Sequence, residues 1–249
     1  MKRSLIWCGS VLGALVLVSP ALSTPAIALG STPMAAAEPS AGGTILFQDQ
    51  FTNPNDPNWT FFNRNGIVTG GRLWVNGSYM NGSVGRDGWA LTNVGNAAWT
   101  NYSFSITYGT WNRGGSPNTV HMGTVYLRVA SESGNVRESM YRIDVWDPGQ
   151  PVPAPGPCGT GVLARGAVGL AKYADGVVTS LKTVCLSNSA VGTNRLKVTV
   201  NGASIRVVVN GFRVLSYTDP SPIPSGGVGV GQIWETNGWF DNAVVRTVG

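Results

Sequence analysis

The side chains best able to do chemistry in this chain are few and scattered. His121 is the only histidine, so a Ser-His-Asp relay would have to run through it. No Gly-x-Ser-x-Gly elbow accompanies it. Hydrolysis of a glycosidic bond needs two carboxyls facing one cleft, about 5–9 Å apart. Asp144 has Arg142 and Trp146 as its same-face neighbours rather than a second carboxylate. Such a pair would have to come from separate strands, as Asp144 with Glu235. Sugar binding asks for less: aromatic rings to stack on C–H faces, with polar groups at their edge. Tyr126, Arg128, Arg142, Asp144 and Trp146 alternate onto one face of two strands, and Trp111, Trp234 and Trp89 could rim it. The plainer alternative is that Arg142 and Asp144 only pair with each other and Trp146 covers core. Trp59, Trp74 and Trp99 read as core or sheet-end packing.

These residues need a scaffold, and its clearest element is Asn194 to Val209. Leu196, Val198 and Val200 alternate with Lys197 and Thr199, and after Asn201-Gly202 come Ile205, Val207 and Val209. Period-2 alternation marks half-buried strands. Asn-Gly suits tight hairpin turns, and a second Asn-Gly follows at Asn210-Gly211. The result is a meander with one oily face, which a second sheet must cover. Three other stretches supply candidates. Tyr102, Phe104, Ile106 and Tyr108 share one face. Val125, Leu127 and Val129 should point inward, with Thr124, Tyr126 and Arg128 outward. Tyr141, Ile143 and Val145 should point inward, with Met140, Arg142, Asp144 and Trp146 outward. No window carries a capped 3.6-residue period. The pattern predicts an all-β, two-sheet antiparallel sandwich.

The termini and the composition limit the function. Lys2 and Arg3 precede an apolar run and small residues ending at Ala28, the form of a secretory signal peptide spanning 1–28. Residues 29–43 read as a flexible linker, and 44–249 as one domain. Of the three cysteines, Cys8 lies in the signal. Cys158 and Cys185 remain, and in an exported chain they favour a disulfide. It would be worth roughly 3 kcal/mol in the loop-entropy model. There is no His/Cys cluster for zinc. The formal charge is +5, but the basic residues are scattered along the sequence. No basic run has nucleic-acid character, and no membrane association is expected once the signal is cut.

The order of these pieces resembles the concanavalin A-like lectin/glucanase jelly roll, in particular laminin-G-like domains of secreted bacterial proteins. The likeness rests on Asp49-Gln50-Phe51 with Trp59, Trp99 to Tyr102, Gly123 to Arg128, and the strand beginning at Tyr141. It continues through Leu196 to Gly211, Thr218-Asp219, Gly227 to Val230, and Phe240-Asp241-Asn242. The resemblance implies a concave face carrying Tyr126, Arg128, Arg142, Asp144 and Trp146. It also implies a structural calcium near Asp49 and Asp241, whose remaining ligands would be backbone oxygens. The Glu-x-Asp-x-x-Glu strand of the laminarinase and lichenase relatives is missing. Lyases of this fold use Tyr/His pairs with Arg or Gln, and His121, Tyr126, Arg128, Arg142 and Gln232 are the matching residue types. The expectation is a secreted, monomeric carbohydrate-binding sandwich. Polysaccharide cleavage or a purely structural role are the alternatives, since one fold hosts many functions.

Overall fold

The computed structural model describes residues 42–62, 66–76, 88–92, 99–111, 122–133, 136–146, 158, 166–186, 192–232 and 237–248. All fall within one compact unit, Met34–Gly249. Among the described residues every regular element is a strand. In chain order they are β1 (Ile45–Asp49), β2 (Trp59–Phe62), β3 (Gly66–Thr69), β4 (Arg72–Asn76) and β5 (Gly88–Thr92). Next come β6 (Tyr102–Trp111), β7 (Met122–Ser133), β8 (Val136–Trp146), β9 (Ala167–Ala174) and β10 (Val177–Cys185). The last are β11 (Thr193–Asn201), β12 (Ser204–Val209), β13 (Phe212–Thr218), β14 (Gly227–Gln232) and β15 (Asn237–Thr247).

They form two antiparallel sheets. The eight-stranded sheet runs β13-β12-β11-β6-β15-β4-β3, with β1 added on β15. The seven-stranded sheet runs β10-β9-β8-β7-β14-β5-β2. The expected meander is β11 to β13, with Leu196 opposite Val209 and Val200 opposite Ile205. Its second turn uses Asn210 and Gly211 at φ 52° and 85°, the left-handed pair that a primed hairpin turn requires. Leu196, Val198, Val200, Ile205 and Val207 face Val125, Leu127, Tyr141, Ile143 and Val145 in one continuous core. The fold is the all-β sandwich expected.

Two side-chain expectations are corrected. Trp59 and Trp99 are core, but Trp74 is not: Leu73 and Val75 point inward, leaving Trp74 half-buried on the outer face. The second correction is in β7. Its pairing with β8 shifts after Leu127, and Arg128 sits at φ 47°. The extra residue of such a bulge inverts the alternation beyond it. Arg128 therefore turns inward and is 2% exposed. Val129 turns outward and packs with Tyr126, Met140 and Tyr173 in a second, smaller cluster.

Candidate functional site

The seven-stranded sheet places the site residues in transverse rows on its outward face. In one row Trp89 is opposite Gly231, Gly231 opposite Thr124, Thr124 opposite Asp144, and Asp144 opposite Gly169. In the next, Leu91, Gly229, Tyr126, Arg142 and Ala171 follow in the same order. β14 reads Gly-Val-Gly-Val-Gly-Gln. Its valines feed the core, so that strand presents only glycines outward in these rows.

Asp144 and Arg142 are the charged centre. Arg142 Nε lies 2.9 Å from Asp144 Oδ2. Thr124 Oγ1 donates to Asp144 Oδ1 at 3.0 Å, so both carboxylate oxygens are engaged. Arg142 Nη1 donates to the Tyr173 hydroxyl at 2.6 Å, and its guanidinium carbon lies 5.6 Å from that ring's centre. Asp144 is 2% exposed, whereas the Arg142 side chain keeps 19% of its surface open. The arrangement is a buried carboxylate orienting a guanidinium that still reaches solvent. Half-buried Trp146 is four residues along β8, on the same face as Arg142. A Cβ at Gly169 would come within 2.6 Å of the Trp146 ring, so the ring rests on that glycine.

The sequence-based set divides into three groups. Arg142, Asp144 and Trp146 come together as expected. Tyr126 and Arg128 are buried rather than presented to solvent. Tyr126 is on the expected face, but it is fully buried within the smaller cluster and offers no ring surface to a sugar. Arg128 is spent inside: it donates to Ile223 O at 2.5 Å and Thr100 O at 2.8 Å, while its own N–H donates to Tyr102 Oη at 2.7 Å. His121, Trp234 and Glu235 lie outside the described residues, as do the side chains of Trp89 and Trp111. Gln232, fully buried, projects toward Gly238, where a Cβ would clash with its amide. Sequence reasoning missed Thr124 and Tyr173 as partners of the charged pair. The alternation Gly169, Ala171, Tyr173 around buried Val168 and Leu170 placed Tyr173 outward. Only the pairing of β8 with β9 shows which strand it serves.

The residues of the metal expectation, Asp49 and Asp241, both accept hydrogen bonds within the chain. Asp49 accepts from Phe51 N at 2.7 Å and from Trp59 Nε1 at 2.5 Å, one bond to each oxygen. Burial is the main cause that raises its carboxyl above the ordinary range. Asp241 Oδ1 accepts from Asn242 N at 2.6 Å. Among the described residues no group of three or more His, Cys, Asp or Glu could hold a metal ion. Asp49 thus serves as a turn cap and an indole acceptor. The disulfide is formed between Cys158 and Cys185. It anchors residue 158 to the end of β10, whose Cys185 pairs with Ala167, itself opposite Trp146.

A family model for the 3-keto-alpha-glucoside-1,2-lyase-like domain matches residues 46–246, nearly the whole sandwich. The chain belongs to that family. No relative was found among curated proteins. Solved structures share the fold of this lyase-like domain at low identity. The carbohydrate binding module CBM66 from Bacillus subtilis is 14% identical, with a TM-score of 0.56 over 78% of this chain and 98% of its own. The Bacillus licheniformis beta-glucanase is also 14% identical, with a TM-score of 0.54 over 84% of this chain and 100% of its own. A lichenase from a mouse hindgut metagenome is 11% identical, with a TM-score of 0.55 over 81% of this chain and 99% of its own. The lyase-like domain thus has the jelly-roll sandwich fold that its sequence resemblance implied.

Proposed function

We propose that this chain is exported and binds a glycan on the outward face of its seven-stranded sheet, with Arg142 and Trp146 as the contacting groups. Asp144, Thr124 and Tyr173 hold Arg142 in place, and Trp89 extends the same row. The observation that carries this reading is the Arg142 guanidinium. It is fixed on one side by Asp144 and on another by Tyr173, yet its side chain keeps 19% of its surface open, on the strand face that also carries half-buried Trp146. A planar donor on the same face as a flat ring suits sugar hydroxyls above a C–H face. The disulfide fits an oxidising destination. Titration calorimetry against a panel of oligosaccharides tests it. Arg142→Ala and Trp146→Ala should each weaken binding about tenfold, which is about 1.4 kcal/mol. Unchanged affinity in both variants would overturn the reading.

Family membership favours a second reading, cleavage by elimination. A ketone at carbon 3 of a glucoside acidifies the C2–H bond. Loss of that proton to a base drives out the group on carbon 1 with its bonding electrons, and a proton returns to that leaving group. Asp144 is poorly suited as the base, because Arg142 and Thr124 engage both its oxygens. Glu235 or His121 would have to serve. Unsaturated product from a 3-keto-glucoside, abolished in Glu235→Gln or His121→Ala but not in Asp144→Asn, supports this second reading.

A further inference from the structure

The cations that look scattered in sequence are collected by the sheet onto one surface. On the eight-stranded sheet, Leu196, Val198, Ile205, Val207, Leu215 and Val245 point into the core. Their neighbours therefore point outward: Arg195 and Lys197 on β11, Arg206 on β12 and Arg246 on β15, as does Arg72 beside buried Leu73 on β4. On β13 a bulge at Val214 sets exposed Arg213 opposite Val208, the outward residue between core-facing Val207 and Val209. The register joins them across strands. Lys197 is opposite Val208, and Val208 opposite Arg213. Thr199 lies between Arg206 and Ser103, and Ser103 is opposite Arg246. Asp241, beside Thr107, is the one carboxylate on this face among the described residues.

Two of these cations are occupied. The Arg72 guanidinium lies 3.9 Å over the Trp239 ring, and Arg246 Nη1 donates to Gly43 O. The other four, Arg195, Lys197, Arg206 and Arg213, have no carboxylate in salt-bridge reach among the described residues. Arg195, Arg206 and Arg213 are exposed, and Lys197 is half-buried. Along a strand such groups stand about 6–7 Å apart, and strands are about 5 Å apart. The result is a flat lattice of positive charge. Hydroxyls of Ser105, Thr107, Thr199 and Ser216 stand among the cations. Like charges held this close repel, and a bound polyanion would relieve that repulsion.

We propose that this outward face of the eight-stranded sheet binds an anionic polysaccharide, one bearing uronate or sulfate groups. It lies on the opposite side of the sandwich from Arg142 and Trp146. Among the described residues no element projects from this face to enter a duplex groove, and no aromatic ring stands among the four cations to stack a base. The interspersed hydroxyls suit a hydroxylated polymer.

Affinity electrophoresis of the purified protein in alginate gels, with neutral dextran as control, tests the proposal. Alginate should retard the protein at about 50 mM salt and not at about 500 mM, because screening shortens the reach of exposed charges. Arg195→Gln, Lys197→Gln, Arg206→Gln and Arg213→Gln together should weaken retardation about tenfold or more. The single reversal Arg206→Glu should weaken it measurably if the combined variant does not fold. The combined variant should keep wild-type affinity for neutral oligosaccharides, so this surface and the opposite site fail or succeed separately. Three outcomes would each overturn the proposal: equal retardation of wild type and variants, equal retardation by dextran, or tighter binding to duplex DNA or phosphatidylglycerol vesicles than to alginate at matched salt.

Discussion

The Tyr141 hydroxyl donates to Asp219 Oδ2 at 2.5 Å, tying the centre of the seven-stranded sheet to the segment that follows β13. Lys172 Nζ lies 2.9 Å from the same oxygen and also donates to Ser221 O. Ser221 N donates to Asp219 Oδ1 at 2.9 Å, and Ile223 N donates to Tyr141 Oη at 3.1 Å. Every polar group of this knot has a partner, so it works as a clasp rather than as a reactive centre.

The clasp should make stability depend on pH. Burial alone would push the Asp219 carboxyl up, but Tyr141, Lys172 and the Ser221 N–H together hold it below its ordinary value. Burial drives the Tyr141 hydroxyl far above its ordinary range, so it stays a donor. A carboxyl lowered in the folded state stabilises it fully above the unfolded value, about 3.9. That contribution is lost as pH falls through the folded value. Asp49, raised by burial, acts in the opposite sense and offsets part of the loss. Urea unfolding at pH 7 and pH 3 should show a smaller difference for Asp219→Asn than for wild type. At pH 7 the variant should lose about 1.5–3 kcal/mol, the range for hydrogen bonds to a charged group.

Asp144→Asn should separate orientation from chemistry. It removes the ion pair to Arg142 and leaves the Thr124 bond an acceptor. A stability loss of about 1–3 kcal/mol is expected from the uncompensated, half-buried guanidinium. Glycan affinity should fall with it, as measured by calorimetry. Arg142→Lys should not rescue binding, because an ammonium cannot span Asp144 and Tyr173 in the manner of a planar fork.

Gly169→Ala probes the indole seat. The added methyl would sit 2.6 Å from the Trp146 ring, so the ring must move. The expected cost to folding is about 1–3 kcal/mol, as for overpacking. Tryptophan emission should shift, and glycan affinity should drop without any polar group being removed. An unchanged spectrum and affinity would mean that Trp146 does not form part of the binding surface.

The Cys158–Cys185 bridge spans a sequence separation of 27. Replacing both residues with serine should lower the unfolding free energy by about 3 kcal/mol in the chain-entropy model. Chemical denaturation with and without reductant measures this directly.

Much of the fold was legible because alternation along a strand maps directly onto the two faces of a sheet. Leu196 to Val209 and Tyr102 to Tyr108 behave as their spacing says. Arg142, Asp144 and Trp146 were found for the same reason. Arg128 and Val129 were misassigned because a single bulge residue inverts every later position, and nothing in the apolar pattern marks it. Trp74 was misassigned because a lone tryptophan in a short strand suits either face.

By itself the sequence determined local structure: which stretches become strands, where Asn210-Gly211 turns, and which side chains share a strand face. These follow from backbone sterics and a period of two. Only the tertiary structure decided which strands are neighbours. That choice gave Arg142 its Tyr173, gave Asp144 its Thr124, and brought Arg195, Arg206 and Arg213 onto one surface from separate strands. Strand order depends on how two whole sheets bury their apolar faces against each other, and no short window of sequence contains that information.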